Sequence, residues 1–375
     1  MDALIMSCST GGGHNAAGYA VKEELERRGH RVTMLDPYAL VGKKVVDAVG
    51  NGYVRIAQKT PHLFGCIYQL GNWYRRLPIH SPVYLANKAV RKQMQAHLEA
   101  NHYDVVLLPH IYPGEILAYL KSKGFAIPKT VFIATDYTCI PFAEEADCDY
   151  YMIPSEELTP EFTRFGIAPE KLVPTGIPVS HAFREELSRE DAIYALGLAR
   201  DKRYLVLSGG SIGAGAIRKT IRILRKYLQA RPDYQLIVIC GNHSKLLKKL
   251  KAKYGADPQI TLLASTDRMA LYMKACDAFL TKPGGLSSTE AAVARVPLIH
   301  VAPIPGCESR NLEYFRRHGL SIAVGSHTRR LESALAQMQD AEFVSRMRER
   351  QAACINPAAA DEICDLAEKL AAGVL

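Results

Sequence analysis

Three times in this 375-residue chain a short apolar run breaks into glycines and a helical pattern starts directly after. That recurrence restricts the fold more than any other feature of the sequence. In the first half, Ala3–Ser7 runs into Thr10-Gly11-Gly12-Gly13-His14, and a helix is expected over 16–28 with Ala17, Ala20, Val21 and Leu25 on one stripe. In the second half, Tyr204–Ser208 runs into Gly209-Gly210-Ser211-Ile212-Gly213, ahead of a helix striped by Ile217, Ile221, Leu224 and Leu228. The third case is a strand starting at Asp277 that breaks at Pro283-Gly284-Gly285, with a helix from about Leu286. Further strands are expected at 31–35, 103–108, 130–134 and 150–153, and then at 235–240 and 260–263. Short apolar runs alternating with helical periods read as parallel strands with crossover helices. The Pro/Gly punctuation of Val173–Val179 reads as a hinge between two such halves. The expected architecture is therefore α/β, with two facing Rossmann-like doubly wound domains and an interdomain cleft. The expected boundaries are 1–178 and 179–356, with a closing helix in 357–375 that packs back on the first domain.

Glycines that open a helix leave bare backbone N–H groups at a positive dipole end, which suits an anion such as a diphosphate. Glu290 follows about a turn into the third helix. Glu308 and Asn311, three residues apart, share one helix face after a further glycine. Carboxylate and amide groups beside an anion site suit hydroxyl-rich partners, so 277–311 reads as a nucleotide-sugar site. On the first half, His14, His110 and Asp136 fall just after apolar strands, at the carboxyl ends where open α/β sheets bind ligands. A neutral imidazole at His14 can accept a hydroxyl proton, and Asp136 is the rival for that role. Gly11, Gly13 and Ala16 with Asp36 also meet the spacing of a dinucleotide fingerprint, so an oxidoreductase remains open at this point.

Composition narrows the class. No apolar run approaches a membrane span, and the N-terminus begins in a strand without a basic leader, so no signal peptide is expected. Nine scattered cysteines without a C-x-x-C pair fit a reduced, cytoplasmic protein without a zinc site. The net charge of +9 is uneven: from Lys43 to His97 nine basic residues face Asp47 alone. The same stretch carries Leu63, Phe64, Tyr68, Trp73, Tyr74, Leu77 and Tyr84. Aromatics interleaved with Arg and Lys in a segment broken by prolines suit an anionic membrane interface, and no nucleic-acid motif accompanies them.

Taken together, the Gly11–His14 loop, the Thr135-Asp136 pair, S-G-G-S-I-G at 208–213, T-K-P-G-G-L-S-S-T-E at 281–290 and G-C-E-S-R-N at 306–311 resemble the GT-B glycosyltransferases. The resemblance is to the monogalactosyl- and glucosyl-diacylglycerol synthases, relatives of the enzyme that adds N-acetylglucosamine to lipid I, and it covers nearly the whole chain. It implies an inverting transfer of glucose or galactose from a UDP-sugar to the hydroxyl of diacylglycerol or a glycosyl-diacylglycerol. No cofactor or metal is implied, the UDP-sugar being a co-substrate. The first domain would face acceptor and membrane, and the second would hold the donor. Gly210, Ser211 and Gly213 would hold the diphosphate, with Gly284, Gly285, Ser287 and Thr289 closing on it. Met269 would lie near the uracil, Glu290 would take the ribose hydroxyls, and Glu308 with Asn311 the sugar. His14 or Asp136 would be the base, with Gly12, Gly13 and His110 positioning the acceptor. Trp73, Tyr74, Arg75 and Arg76 would touch the membrane, placing the protein on the inner face as a peripheral enzyme. Cys307 stands before Glu308 where the lipid I enzymes carry Gln, which points to a plain hexose. A UDP-N-acetylglucosamine-dependent lipid transferase, or a UDP-sugar epimerase on the same scaffold, is the alternative.

Overall fold

The computed structural model describes residues 1–8, 12–77, 79–211, 213, 216–325 and 328–374. The chain divides into two compact units, Met1–His181 with Asn356–Leu375, and Ala182–Ile355. Each is a Rossmann-like layer structure built on one six-stranded sheet.

In the first unit the strands are β1 (Asp2–Met6), β2 (Arg31–Leu35), β3 (Val105–Leu108), β4 (Lys129–Ile133), β5 (Tyr150–Met152) and β6 (Leu172–Val173). They pair in parallel in the order β2-β1-β3-β4-β5-β6. The order reverses between β1 and β3, so their carboxyl ends form a switch point, where such sheets leave a crevice for ligands. Side chains alternate across a strand. Ala3, Ile5, Val105, Leu107, Val131 and Ile133 thus share one face, against Val21 and Leu25 of the helix Gly12–Arg27. The helix Ala359–Ala371 fills the same layer with Ile363, Cys364, Ala367 and Leu370. Arg28 reaches Asp365 at 2.6 Å and His30 Nε2 lies 2.9 Å from Glu368, which fixes this last helix to the first.

The second unit holds β7 (Arg203–Ser208), β8 (Tyr234–Ile239), β9 (Ile260–Leu263), β10 (Ala278–Thr281), β11 (Leu298–Val301) and β12 (Ile322–Gly325). These are again all parallel, in the order β12-β11-β10-β7-β8-β9. Its switch point lies between β7 and β10, the two strands that end in glycine turns.

Several elements depart from the sequence expectation. Among the described residues, the basic-aromatic stretch holds four α-helices: Lys43–Lys59, Pro61–Tyr74, Pro82–Asn87 and Arg91–Ala100. Pro61 and Pro82 do not break them. They occupy first-turn positions, where a missing N–H costs nothing, and Ser81 caps the third helix by accepting the Tyr84 N–H at 3.0 Å. Two residues separate β3 from the helix Ile111–Ser122, because the buried His110 side chain caps it. The short β6, the helix Arg189–Leu196 and β12 were not foreseen; β6 occupies the start of the expected hinge. Among the described residues, no helix is long and apolar enough to cross a membrane.

Candidate functional site

In the first unit the site is assembled at the ends of β1, β3 and β4. Gly12 and Gly13 open the helix Gly12–Arg27, and His14 follows in its first turn; Thr10 and Gly11 lie outside the described residues. His14 Nδ1 stands 2.8 Å from the carbonyl oxygen of Pro109, just beyond β3, and 2.9 Å from Thr135 Oγ1, just beyond β4. A carbonyl can only accept, so the hydrogen sits on Nδ1 and the threonine oxygen shares it as a second acceptor. Nε2 is left with its lone pair. Burial lowers the imidazole's pKa below 6.5, against the pull of the Asp136 charge and the Pro109 bond. His14 is thus a neutral, oriented imidazole whose Nε2 can accept a proton, and the nearby carboxylate of Asp136 favours its charged form.

His110 plays a different part from the one its position in sequence implies. Its Nδ1 accepts the Tyr112 N–H at 3.2 Å, and its ring meets His14 and Tyr112 edge-on, each at 4.5 Å. Burial, then the His14 charge, push its pKa well below 6.5. His110 therefore acts as a buried helix cap and as a wall for His14. Behind it, Tyr38 donates to Asn87 at 2.5 Å, and Asn87 donates to the fully buried Glu115, whose carboxyl burial raises well above the usual range. Asp36 does not stand free for a ribose: its carboxylate accepts the Tyr38 N–H at 3.0 Å and caps the turn Pro37–Leu40.

In the second unit the turn after β7 is held tightly. Gly210 and Gly213 both have positive φ, at 68° and 57°. A Cβ on Gly213 would stand 2.4 Å from the Cys240 carbonyl oxygen, and one on Gly241 2.4 Å from the Gly210 oxygen. Only glycine fits this close approach of two backbones. Asn242 donates its N–H to the Ser211 carbonyl at 2.8 Å, joining the turn to the end of β8. After β10, Gly284 caps the helix Gly285–Val293, which presents the unpaired N–H groups of its first turn. Behind that helix, its Ser288 and Ser321, the residue before β12, flank the fully buried His300 of β11 at 2.9 Å each, and burial lowers the His300 pKa to about 3. This core cluster ties the helix to β11.

Ser287 is half-buried in the helix's first turn and keeps its place among the donor candidates, and Met269 opens the helix Met269–Ala275. Thr289 has no exposed surface and donates to the Gly285 carbonyl at 2.7 Å, so it supports the helix rather than lining its open end. Asn311 is likewise fully buried and donates to the Pro283 carbonyl at 3.0 Å. The expectation that it faces a sugar gives way to a bracing role: its amide holds the Pro283 turn from behind. Glu308 forms an ion pair with Lys282 and accepts the Ile304 N–H at 2.7 Å. Lys282 was quoted in T-K-P-G-G without a role; its place one residue past β10, at a switch point, was the available signal. Glu290 is partly accessible, and its packed surroundings raise its carboxyl to about 8.

The expected membrane contacts divide. Trp73 and Arg76 are exposed and Tyr74 is half-buried. Arg75 is overturned: its side chain has no exposed surface, pairs with Glu144, and lies 3.5 Å over the Phe165 ring. Its guanidinium braces the first unit. Among the described side chains of the helix Pro61–Tyr74, Leu63, Ile67, Leu70 and Trp73 are exposed, at spacings that put them on one stripe.

Comparison with known proteins finds a match for each half of the chain. Residues 14–179 match the family model of monogalactosyldiacylglycerol (MGDG) synthase, and residues 204–363 match the glycosyltransferase family 28 C-terminal domain. A processive diacylglycerol beta-glucosyltransferase of Bacillus licheniformis is 25% identical over 353 residues, covering 92% of this chain and 88% of the relative. One of Bacillus thuringiensis is 23% identical over 372 residues, covering 96% and 92%. Among solved structures, Acinetobacter baumannii MurG superposes with a TM-score of 0.61 at 15% identity, covering 98% of this chain and 99% of that one. A UDP co-structure of S. aureus MnaA superposes with a TM-score of 0.66 at 12% identity, covering 98% and 96%. The two matched domains, the two parallel sheets and the paired glycine turns place the chain in the GT-B glycosyltransferases, in the family of the monogalactosyl- and glucosyl-diacylglycerol synthases.

Proposed function

We propose that the protein transfers a hexose, with inversion, from a UDP-sugar to the hydroxyl of diacylglycerol or a glycosyl-diacylglycerol at the surface of an anionic membrane. The observation that carries the proposal is His14, whose proton is held on Nδ1 by the Pro109 carbonyl so that Nε2 can accept a proton. In the reaction the lipid hydroxyl oxygen attacks the anomeric carbon from the face opposite the diphosphate. The new C–O bond forms as the bond to the diphosphate oxygen breaks. The hydroxyl proton passes to His14 Nε2, and the electron pair leaves with UDP. Asp136 stabilises the imidazolium as a positioning charge.

The leaving diphosphate needs fixed positive ends. The open first turn of the helix Gly285–Val293 supplies backbone N–H groups for it without a metal, and the bare turn that starts at Gly210 leaves space beside it. Donors of this kind are each worth about 10²–10³ in rate in other enzymes. Glu290 is placed on the same helix to accept the ribose hydroxyls. The names of the curated relatives favour glucose as the hexose and diacylglycerol as the first acceptor. The acceptor's bilayer is met by the stripe Leu63, Ile67, Leu70 and Trp73, with exposed Arg76 following it.

Incubation with labelled UDP-glucose, UDP-galactose or UDP-N-acetylglucosamine and diacylglycerol vesicles, followed by separation of the lipids and anomeric assignment, tests the proposal. A β-linked hexosyl-diacylglycerol is expected. Label retained in free sugar nucleotide with all three donors, or an α-linked product, would count against it.

A further inference from the structure

Lys282 lies against both glycine turns of the second unit. A Cβ on Gly210 would stand 3.4 Å from Lys282 Cε, and one on Gly284 would stand 3.3 Å from Lys282 Nζ. The aliphatic stem therefore crosses one turn and the ammonium reaches the other. The two bare backbones leave room for the lysine beside the first turn of the helix Gly285–Val293, whose N-terminus has no side-chain cap. Its counter-ion is the Glu308 carboxylate, and both side chains are largely shielded, at 14% and 9% exposed. The other oxygen of Glu308 is held by the Ile304 N–H, so the acid is fixed while the lysine, on four methylenes, can swing.

We propose that Lys282 is a diphosphate-binding residue and that Glu308 is its resting partner, released for the hexose when the donor arrives. The proposal rests on the nucleotide-sugar reading given above. A diphosphate offers the ammonium more negative charge than one carboxylate, at nearly the same place and in a shielded setting where such contacts are strong. Once Nζ turns to the phosphates, Glu308 Oε1 has lost its partner and accepts a sugar hydroxyl in its stead. Donor charge and donor sugar are thereby read in one step: uncharged sugar meets an acid already occupied, and the acid opens only behind a bound diphosphate. Asn311 keeps the Pro283 carbonyl, and with it the turn that carries Lys282, in place during the exchange.

The test is titration of the full-length chain with uridine, UDP and UDP-hexose, followed by ligand-observed NMR or calorimetry. Lys282→Met is expected to weaken UDP binding by about 10- to 100-fold, the worth of one charge-assisted contact, and to leave uridine unchanged. Lys282→Arg should restore part of the loss. Glu308→Gln should bind UDP at least as tightly as the parent while losing the added affinity for UDP-hexose over UDP. Because Lys282→Met leaves a shielded carboxylate without its partner, the double variant K282M/E308Q carries the same expectation for UDP in a chain without that strain. A Lys282→Met or double variant whose UDP and uridine affinities fall together, or do not fall, overturns the proposal. A parent chain that binds no UDP overturns the donor reading itself, which separates the two failures.

Discussion

The stripe on the helix Pro61–Tyr74 gives a quantitative expectation for membrane binding. Leu63, Ile67, Leu70 and Trp73 stand 51%, 50%, 60% and 58% exposed. Fully burying a large apolar side chain is worth about 1.5–3 kcal/mol, so inserting the exposed half of each contributes about 1 kcal/mol, and the four together about 4 kcal/mol. Leu70→Gln with Trp73→Gln should remove about 2 kcal/mol, a drop of roughly 30-fold in the partition coefficient. Since these side chains already face solvent, the melting temperature should not change. Arg76→Gln should add a further loss of about 1 kcal/mol, seen only with anionic lipid and only at low salt. Co-sedimentation with sucrose-loaded vesicles, with and without phosphatidylglycerol, reads both losses, and a thermal melt checks the stability. An L70Q/W73Q chain that partitions like the parent would refute the stripe as the docking face. Binding that ignores lipid charge would refute the electrostatic half of the argument.

Three further outcomes follow from the charged and buried groups. His14→Ala should lower transfer by about 10²–10⁴-fold in a folded chain. In the parent, activity should rise with pH through a pKa below 6.5 and then level, because burial favours the neutral base; a pH–rate profile tests both. Glu290, raised to about 8 from 4.5, binds its proton more tightly in the folded chain, so stability should decline as pH climbs between those values. Glu290→Gln should flatten that decline in denaturant melts taken from pH 5 to 9, while losing affinity for UDP over free diphosphate. Glu24 behaves oppositely: Arg27 hydrogen bonds first, then Arg28, hold its carboxyl at about 2, so its stabilisation is present above 4.5 and lost as pH falls toward 2. Glu24→Gln should cost about 2 kcal/mol at neutral pH, allowing for the exposed Arg27, and almost nothing in strong acid.

The layers of this fold were legible because parallel strands buried on both faces are written as unbroken apolar runs, such as Val105–Leu108, and because glycines mark where strands end. The carboxyl ends of β1, β3, β7 and β10, the switch points of the two sheets, could thus be picked out from the sequence as candidate ligand positions. What stayed hidden depends on partners far apart in the chain. Nothing local to Arg75 tells that Glu144 will bury it, and Trp73 two residues earlier remains in solvent. Asn311 and Glu308 share a helix face, as their spacing requires, yet both turn to the end of β10. Spacing gave the face and could not give its neighbour. His110 reads as a loop residue because histidine is an unusual cap, and only the backbone at Tyr112 reveals its use. The prolines misled in the opposite direction, since Pro61 and Pro82 start helices in a stretch they were expected to interrupt.

The chain leaves its first unit at His181 and comes back to it at Asn356, so the whole second unit is an excursion within the first. During synthesis from the amino end, Ile363, Cys364, Ala367 and Leu370 emerge only after the whole second unit, although they cover a sheet whose six strands were complete by Val173. The second unit can close on its own residues as it is made. The first must wait, with an apolar sheet face incompletely roofed, until the excursion is finished, and that interval is when a nascent chain is most open to aggregation. Shortening the chain at its carboxyl end would therefore injure the unit that carries His14, and spare the one that precedes the cut.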